Sequence, residues 1–144
     1  MKVEQILDMY TNDSKMSDDI ETESRLVSNL HSKYLRILSE ERSKKRGLEI
    51  ERKKLASILR QYYSGGATAE MLAALNKEQY RGPKVLRQDM DDVIEQDSDM
   101  IVIDTKILMY REREEVLLEI VKGINNRSYL IRNTMEWLKF IGGK

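Results

Sequence analysis

Apolar residues recur at helical spacing from the start of the chain. A short helix is predicted first, from an apolar stripe of Val3, Ile6, Leu7 and Tyr10. The polar run Thr11–Ser14 that follows predicts a loop. Residues 1–16 are therefore expected to form a short N-terminal helix and a loop.

A long helix is predicted over residues 17–63, because this stretch has a capping Ser17, no proline and a single glycine, Gly47. Two series of positions seven residues apart describe its packing side. They are Ile20, Val27, Tyr34, Glu41, Leu48, Leu55 and Tyr62, and Glu23, Leu30, Ile37, Lys44, Glu51 and Ile58. This apolar seam fails between Glu41 and Lys44. The helix is expected either to cross solvent there or to bend at Gly47.

Short helices and loops are predicted over residues 64–96. The Gly65–Gly66 pair ends the long helix, and Thr68 caps a short helix over Ala69–Leu75. Pro83 suits the first turn of a further helix. The weak apolar side of that helix comprises Val85, Leu86, Met90, Val93 and Ile94.

A second long helix is predicted over residues 97–141, with Asp97 or Ser98 as its cap. Its seam is the more regular one and comprises Ile103, Ile107, Tyr110, Glu114, Leu117, Val121 and Ile124. The run Met100–Ile103 alone resembles a strand but has no obvious partner strand, so a helix is preferred. A stop or kink at Gly123–Asn126 would divide this segment into two helices.

These elements predict an all-α fold in a single helical domain of residues 1–144. Two long amphipathic helices fold back as a hairpin, with short connecting helices. A two-helix hairpin buries little surface, yet apolar residues remain outside the two seams. Self-assembly into a homo-oligomer explains this surplus best. The residues concerned are Leu35, Leu38, Leu59, Leu108, Val116 and Leu118.

The amino-acid composition agrees with elongated helices and excludes several classes of site. Hydrophobic residues make up 40% and charged residues 35% of the 144 positions, which indicates a small core and a large surface. The absence of cysteine excludes disulfides, thiolate zinc sites and cysteine nucleophiles, and the single histidine, His31, argues against a histidine-based triad.

No nucleophile–base pair, metal-ligand set or cofactor loop is recognisable. We therefore expect no enzymatic activity, no cofactor and no metal. No apolar run is long enough to span a membrane, and acidic residues stand where a signal peptide would be apolar. A soluble, cytoplasmic protein is expected.

Charge is segregated although the chain has no net charge. Residues 42–60 hold eight basic and two acidic side chains, and residues 86–104 hold seven acidic and one basic. A chain with two opposite blocks can bind an anionic polymer with one block and a basic partner, or itself, with the other.

The basic block is the strongest candidate for a binding site. Dense cations neutralise phosphates, and a nearby tyrosine can stack on unpaired bases. The candidate DNA-binding residues are Lys44, Lys45, Arg46, Arg52, Lys53, Lys54, Arg60 and Tyr63. Helical geometry places Arg42, Lys45, Arg46, Arg52, Lys53 and Arg60 within an arc of roughly 120°. The alternative is an ordinary solvated face.

The acidic block offers Asp89, Asp91 and Asp92 as a docking surface for a basic partner, or as favourable charges at a helix N-terminus. Neither Asp89 nor Asp97 begins a calcium-loop pattern, because the sixth position is Ile94 or Val102 instead of glycine.

Several segments, in this order and spacing, resemble the UvsY family of recombination mediators from T-even-like phages. They are Lys53-Lys54-Leu55, Tyr62-Tyr63-Ser64-Gly65, Val85-Leu86, Ile103-Asp104, Ile124-Asn125-Asn126-Arg127 and Trp137-Leu138-Lys139-Phe140. The resemblance covers roughly residues 48–144. Residues 1–47 match only in helical character.

The resemblance implies a non-enzymatic protein of the infected host's cytoplasm that binds single-stranded DNA. It implies a ring- or barrel-like homo-oligomer, of six or seven subunits. Such mediators help a RecA-class phage recombinase assemble in place of the phage single-stranded DNA-binding protein. The DNA-binding role maps onto Lys53, Lys54 and Arg60, and we expect Lys44, Lys45 and Arg46 to add to it. The alternative is a coiled-coil scaffold or assembly protein that does not bind DNA.

Overall fold

The computed structural model describes residues 1–15 and 20–142, and over these residues the chain is helical without strands. The helices are α1 (Val3–Asp13), α2 (Ile20–Ser64), α3 (Ala69–Leu75), α4 (Met90–Glu95) and α5 (Ser98–Gly142). The predicted all-α fold, with two long helices and short connecting ones, is confirmed. The predicted cap Ser17 lies outside the described residues.

Helix ends follow the local signals that the sequence carries. Gly65, just past α2, has a φ of 81°, a conformation that favours glycine. The Thr68 side chain accepts a hydrogen bond from the backbone N–H of Met71 at 3.2 Å. The Asp97 carboxylate accepts one from the backbone N–H of Asp99 at 2.9 Å as α5 begins. These three predicted end signals are confirmed.

The predicted loop at Thr11–Ser14 is wrong for its first three residues, which belong to α1. Contacts from α2 stabilise this last turn. The Asp13 carboxylate accepts hydrogen bonds from Lys33 at 2.5 Å and from the buried Tyr34 hydroxyl at 3.0 Å.

The predicted helix start at Pro83 is also wrong, because regular structure resumes only at Met90. Contacts of residues 80–85, which precede α4, explain why the helix does not begin at Pro83. The Tyr80 hydroxyl donates to the Pro83 carbonyl at 2.9 Å, and Val85 packs against the core. These tertiary contacts outweigh the local preference of proline for a first helical turn.

Both long helices continue through the glycines at which a break was considered. Gly47 lies inside α2 and Gly123 inside α5. A Cβ on Gly123 would lie 3.2 Å from the hydroxyl oxygen of Tyr10, so the glycine lets α1 approach α5 closely. The run Met100–Ile103 is helical, as preferred.

The chain divides into two compact units. Unit 1 comprises Met1–Ser43 and Tyr110–Lys144, and unit 2 comprises Lys44–Met109. In each unit α2 runs antiparallel to α5, since contacts pair rising residue numbers on one helix with falling numbers on the other. The helices α2 and α5 each contribute to both units, which is compatible with one domain or with two. The single domain of residues 1–144 therefore stays a prediction.

Ion pairs complete the core of unit 1, whose buried apolar residues are Ile6, Val27, Leu30, Tyr34, Leu38, Leu117, Ile120 and Ile124. Glu41 is only 4% exposed and pairs with Arg113 at 3.4 Å. Glu23, also buried, pairs with Arg127. The predicted seam therefore does not fail at Glu41. A carboxylate at a seam position is satisfied by an arginine of α5.

The core of unit 2 comprises Leu59, Leu75, Met90, Ile94, Met100, Ile103 and Ile107. Leu59 lies in this core, and Leu38 lies in that of unit 1. Assigning these two residues to a surplus for self-assembly was wrong, and Val116 and Leu118 are also partly buried against the core of unit 1. Leu35 and Leu108 are exposed, as that interpretation required.

Candidate nucleic-acid interface

The part of α2 that lies in unit 2 carries most of the predicted basic site. Leu48, Leu55 and Leu59 turn toward the core, which leaves the opposite side of the helix in solvent. This arrangement follows from the helical period, because positions seven residues apart return to nearly the same side. The cations of the block consequently have very different surroundings.

Arg52 lies on the flank of α2 that faces α5, and two carboxylates occupy its guanidinium. Its Nε donates to Asp104 at 2.5 Å and its Nη2 donates to Glu95 at 2.6 Å. These two hydrogen bonds raise the pKa of Arg52 further above its ordinary value. A guanidinium held by two carboxylates has little remaining capacity for a phosphate.

Arg60 is engaged more loosely. It pairs with Asp91 at 2.8 Å, and the side chains are 53% and 81% exposed. Exposed ion pairs contribute only about 0–1 kcal/mol, so a phosphate can replace this carboxylate at small cost. Arg60 therefore remains a candidate, although its charge is balanced in the free protein.

Four predicted cations are exposed and make no ion pair with any described residue: Lys44, Arg46, Lys53 and Lys54. We call these the unpaired cations. Arg46 and Lys53 are seven residues apart and so lie on nearly the same side of α2. Lys45, in contrast, is half-buried. Lys44 and Lys54 lie outside the arc predicted from helical geometry, whereas its members Arg42, Arg52 and Arg60 pair with acids.

Tyr63 lies in an aromatic cluster. Its ring meets those of Tyr62 and Tyr80 edge to face, at centroid distances of 5.0 and 5.1 Å. Its hydroxyl donates to Asp97 at 2.6 Å. Burial and this hydrogen bond raise the pKa of Tyr63. Stacking of Tyr63 on a base stays a prediction.

Asp97 is buried and joins this cluster to the start of α5. Burial alone would raise its pKa, but hydrogen bonds from Tyr63, from the backbone N–H of Asp99 and from Lys77 together lower it below the ordinary 3.8. Lys77 contributes at 3.3 Å and also lies over the Tyr62 ring at 5.1 Å. The carboxylate therefore stays ionised and serves structure.

The predicted docking acids lie at the start of α4. Asp91 is paired with Arg60, as above, while Asp89 and Asp92 are exposed. The two charge blocks thus partly neutralise each other inside unit 2. Fewer carboxylates of residues 86–104 are therefore exposed and available to a partner than the seven acidic side chains of the sequence suggested.

A second group of cations was missed by the sequence interpretation. The segment Arg81–Arg87, which we call the basic loop, joins α3 to α4. Its Arg81, Lys84 and Arg87 are exposed and make no ion pair with any residue that the structure describes. The signal was present in the sequence as three cations and no acid in seven residues, beside the Gly82-Pro83 break.

Residues 1–15 and 20–142 contain no group of three or more metal-binding side chains placed to hold an ion. Over the same residues, no helix is long and apolar enough to cross a membrane.

The family model "Recombination, repair and ssDNA binding protein UvsY" matches residues 8–144. This match includes most of the first 47 residues, where the sequence resemblance was limited to helical character. A search of curated proteins found no match.

Solved structures of the bacteriophage T4 recombination mediator protein UvsY have the same fold. The lattice type II crystal has a TM-score of 0.83 at 17% identity, covering 99% of this chain and 98% of that one. The lattice type IV crystal has a TM-score of 0.82 at 18% identity, covering 97% and 99%. Because the family model matches nearly the whole chain, this protein belongs to the UvsY family of recombination, repair and single-stranded DNA-binding proteins.

Proposed function

We propose that this chain binds single-stranded DNA through the unpaired cations of α2 and Arg60. We further propose that it helps a RecA-class phage recombinase assemble in place of the phage single-stranded DNA-binding protein. The observation that carries the proposal is the exposure of Lys53 and Lys54 without a carboxylate partner. Such side chains release counterions when they meet phosphates. Family membership supports the same role.

A homo-oligomer would multiply this small site. We propose a ring-like assembly of six or seven subunits in the cytoplasm of the infected host, where several weak contacts along one strand add up to tight binding. The bending of a strand along such a ring would loosen a competitor that needs it extended. An exposed apolar stretch of α5 supports self-association. Its residues are Tyr129, Leu130, Met135, Trp137, Leu138, Phe140 and Ile141.

The proposed role involves no covalent chemistry, metal or cofactor. The recombinase is proposed to contact the exposed acids Asp89 and Asp92. Phosphates avoid carboxylates, so these residues would leave α4 accessible while DNA occupies α2.

Fluorescence anisotropy of a labelled single-stranded oligonucleotide, titrated at several salt concentrations, tests DNA binding. Each cation that neutralises a phosphate contributes about −0.7 to the slope of log affinity against log salt. The variant K53A/K54A should reduce the slope by about 1.4 for each subunit that contacts the strand, which weakens binding about tenfold per subunit at ~0.15 M salt. The control K106A/K122A removes the same charge from exposed positions of α5 and should bind like wild type.

Two results would contradict the proposal. Equal loss in both variants would mean that overall charge, and not this site, governs binding. Absence of binding by a folded wild-type protein at low salt would favour the scaffold alternative. Loading is tested by the single-stranded DNA-dependent ATPase of the recombinase on DNA already covered with its binding protein. The chain should shorten the lag before ATP hydrolysis, and an unchanged lag would refute the mediator role.

A further inference from the structure

The basic loop is the most strongly charged segment outside α2 that the proposed function has not used. Its sequence Arg-Gly-Pro-Lys-Val-Leu-Arg holds three cations and no acid. All three cations are exposed and without an ion pair among the described residues. A surface of this kind attracts anions.

Contacts on both sides of Gly82 anchor the first part of the loop. The Tyr80 ring packs against Tyr62 at a centroid distance of 5.4 Å, and its hydroxyl donates to the Pro83 carbonyl at 2.9 Å. A Cβ on Gly82 would lie 2.6 Å from Cζ of that ring, so a larger residue would push the ring aside. Val85 packs against the core. The backbone between Tyr80 and Val85 is therefore attached to the core of unit 2 before any ligand binds, which lowers the entropic cost of binding.

The same contacts place the loop near the C-terminal end of α2. Its first end meets Tyr62 and Tyr63 through Tyr80, and beyond its last end Asp91 pairs with Arg60. The first end of the loop thus lies against the last turn of α2, and the segment that follows the loop reaches Arg60 through Asp91. Lys53 and Lys54 precede Arg60 by seven and six residues, which places them about 10 Å from it along the helix axis. Arg60 and Lys53 also lie on nearly the same side of α2, since they are seven residues apart.

We propose that the basic loop is a second phosphate-binding segment of the same single-stranded DNA surface. A strand that follows Lys53 and Lys54 along α2 continues onto Arg87, Lys84 and Arg81. The acidic residues after the loop mark the edge of this surface. This inference rests on the proposed DNA binding and extends it to a part of the fold outside the long helices.

The triple variant R81Q/K84Q/R87Q tests the inference in the same anisotropy titration. Three lost contacts per subunit should reduce the salt slope by about 2 for each subunit that contacts the strand, which weakens binding about 50-fold per subunit at ~0.15 M salt. Oligomer size and helix content should not change, because the three side chains pack against nothing in the core. The control K106Q/R111Q/K122Q removes equal charge from exposed positions of α5 and should bind like wild type.

The outcomes distinguish this inference from the proposed DNA binding by α2, on which it rests. Wild-type affinity in the loop variant, together with weakened binding in K53A/K54A, would overturn the loop and leave the α2 site intact. Equal weakening in the loop variant and its control would also overturn the loop. No binding by the wild-type protein would overturn the proposed function itself.

Discussion

Replacement of Arg127 by methionine tests the buried ion pair that closes unit 1. The Arg127 and Glu23 side chains are only 10% and 4% exposed. The Arg127 Nε donates to Glu23 at 3.1 Å, and Nη1 donates to the carbonyl of Ser14 at 3.1 Å. One guanidinium thus satisfies a buried carboxylate and also the backbone that joins α1 to α2.

The expected loss follows from what R127M leaves behind. Removing one partner of a buried pair costs about 3–5 kcal/mol, because the other charge stays buried after losing an ion-pair partner. For 144 residues the entropy of unfolding is about 0.30 kcal/mol/K, so the melting temperature should fall by about 10–16 °C. The double variant E23M/R127M should recover at least half of this loss, since methionines of similar volume bring no charge into the core.

Thermal unfolding followed by circular dichroism, at one protein concentration for all variants, measures the effect. The matched control is K122M, which breaks the pair of Lys122 with Glu119 at 3.3 Å on the surface of α5. Those side chains are 70% and 74% exposed, so the melting temperature should change by less than about 3 °C. A loss in R127M no larger than that in K122M would refute the reasoning.

Two further predictions concern unit 2. L59A should destabilise the protein by about 2–5 kcal/mol in urea unfolding, because Leu59 is fully buried, whereas L108A at an exposed position should cost under about 0.5 kcal/mol. Equal effects would contradict the placement of Leu59 in the core. Asp97 has a folded-state pKa below its ordinary 3.8, so it contributes stability above about pH 4 that is lost as pH falls through the folded pKa. D97N should therefore lose less stability than wild type between about pH 4 and pH 2, and the exposed control D92N should follow wild type. A D97N acid profile that matched wild type would contradict the role assigned to the Asp97 hydrogen bonds.

The sequence alone determined the helices and most of their ends. Gly65, Thr68 and Asp97 act on backbone groups within a few residues, so their effect can be predicted from the sequence without knowledge of the fold. The seam of α5 was predicted for the same reason, since the helical period places its residues on one side. The motifs after Lys53 were sufficient to indicate the family that the comparisons then showed.

Only the tertiary structure decided which charges remain available. Arg52 and Lys53 are neighbours in the same basic block, yet the antiparallel register of α2 and α5 places Asp104 against one and solvent beside the other. Glu23 and Arg127 pair across 104 positions for the same reason. Register between distant helices depends on packing across the whole interface, and no local pattern encodes it. The basic loop likewise acquires its position from the Tyr80 contacts.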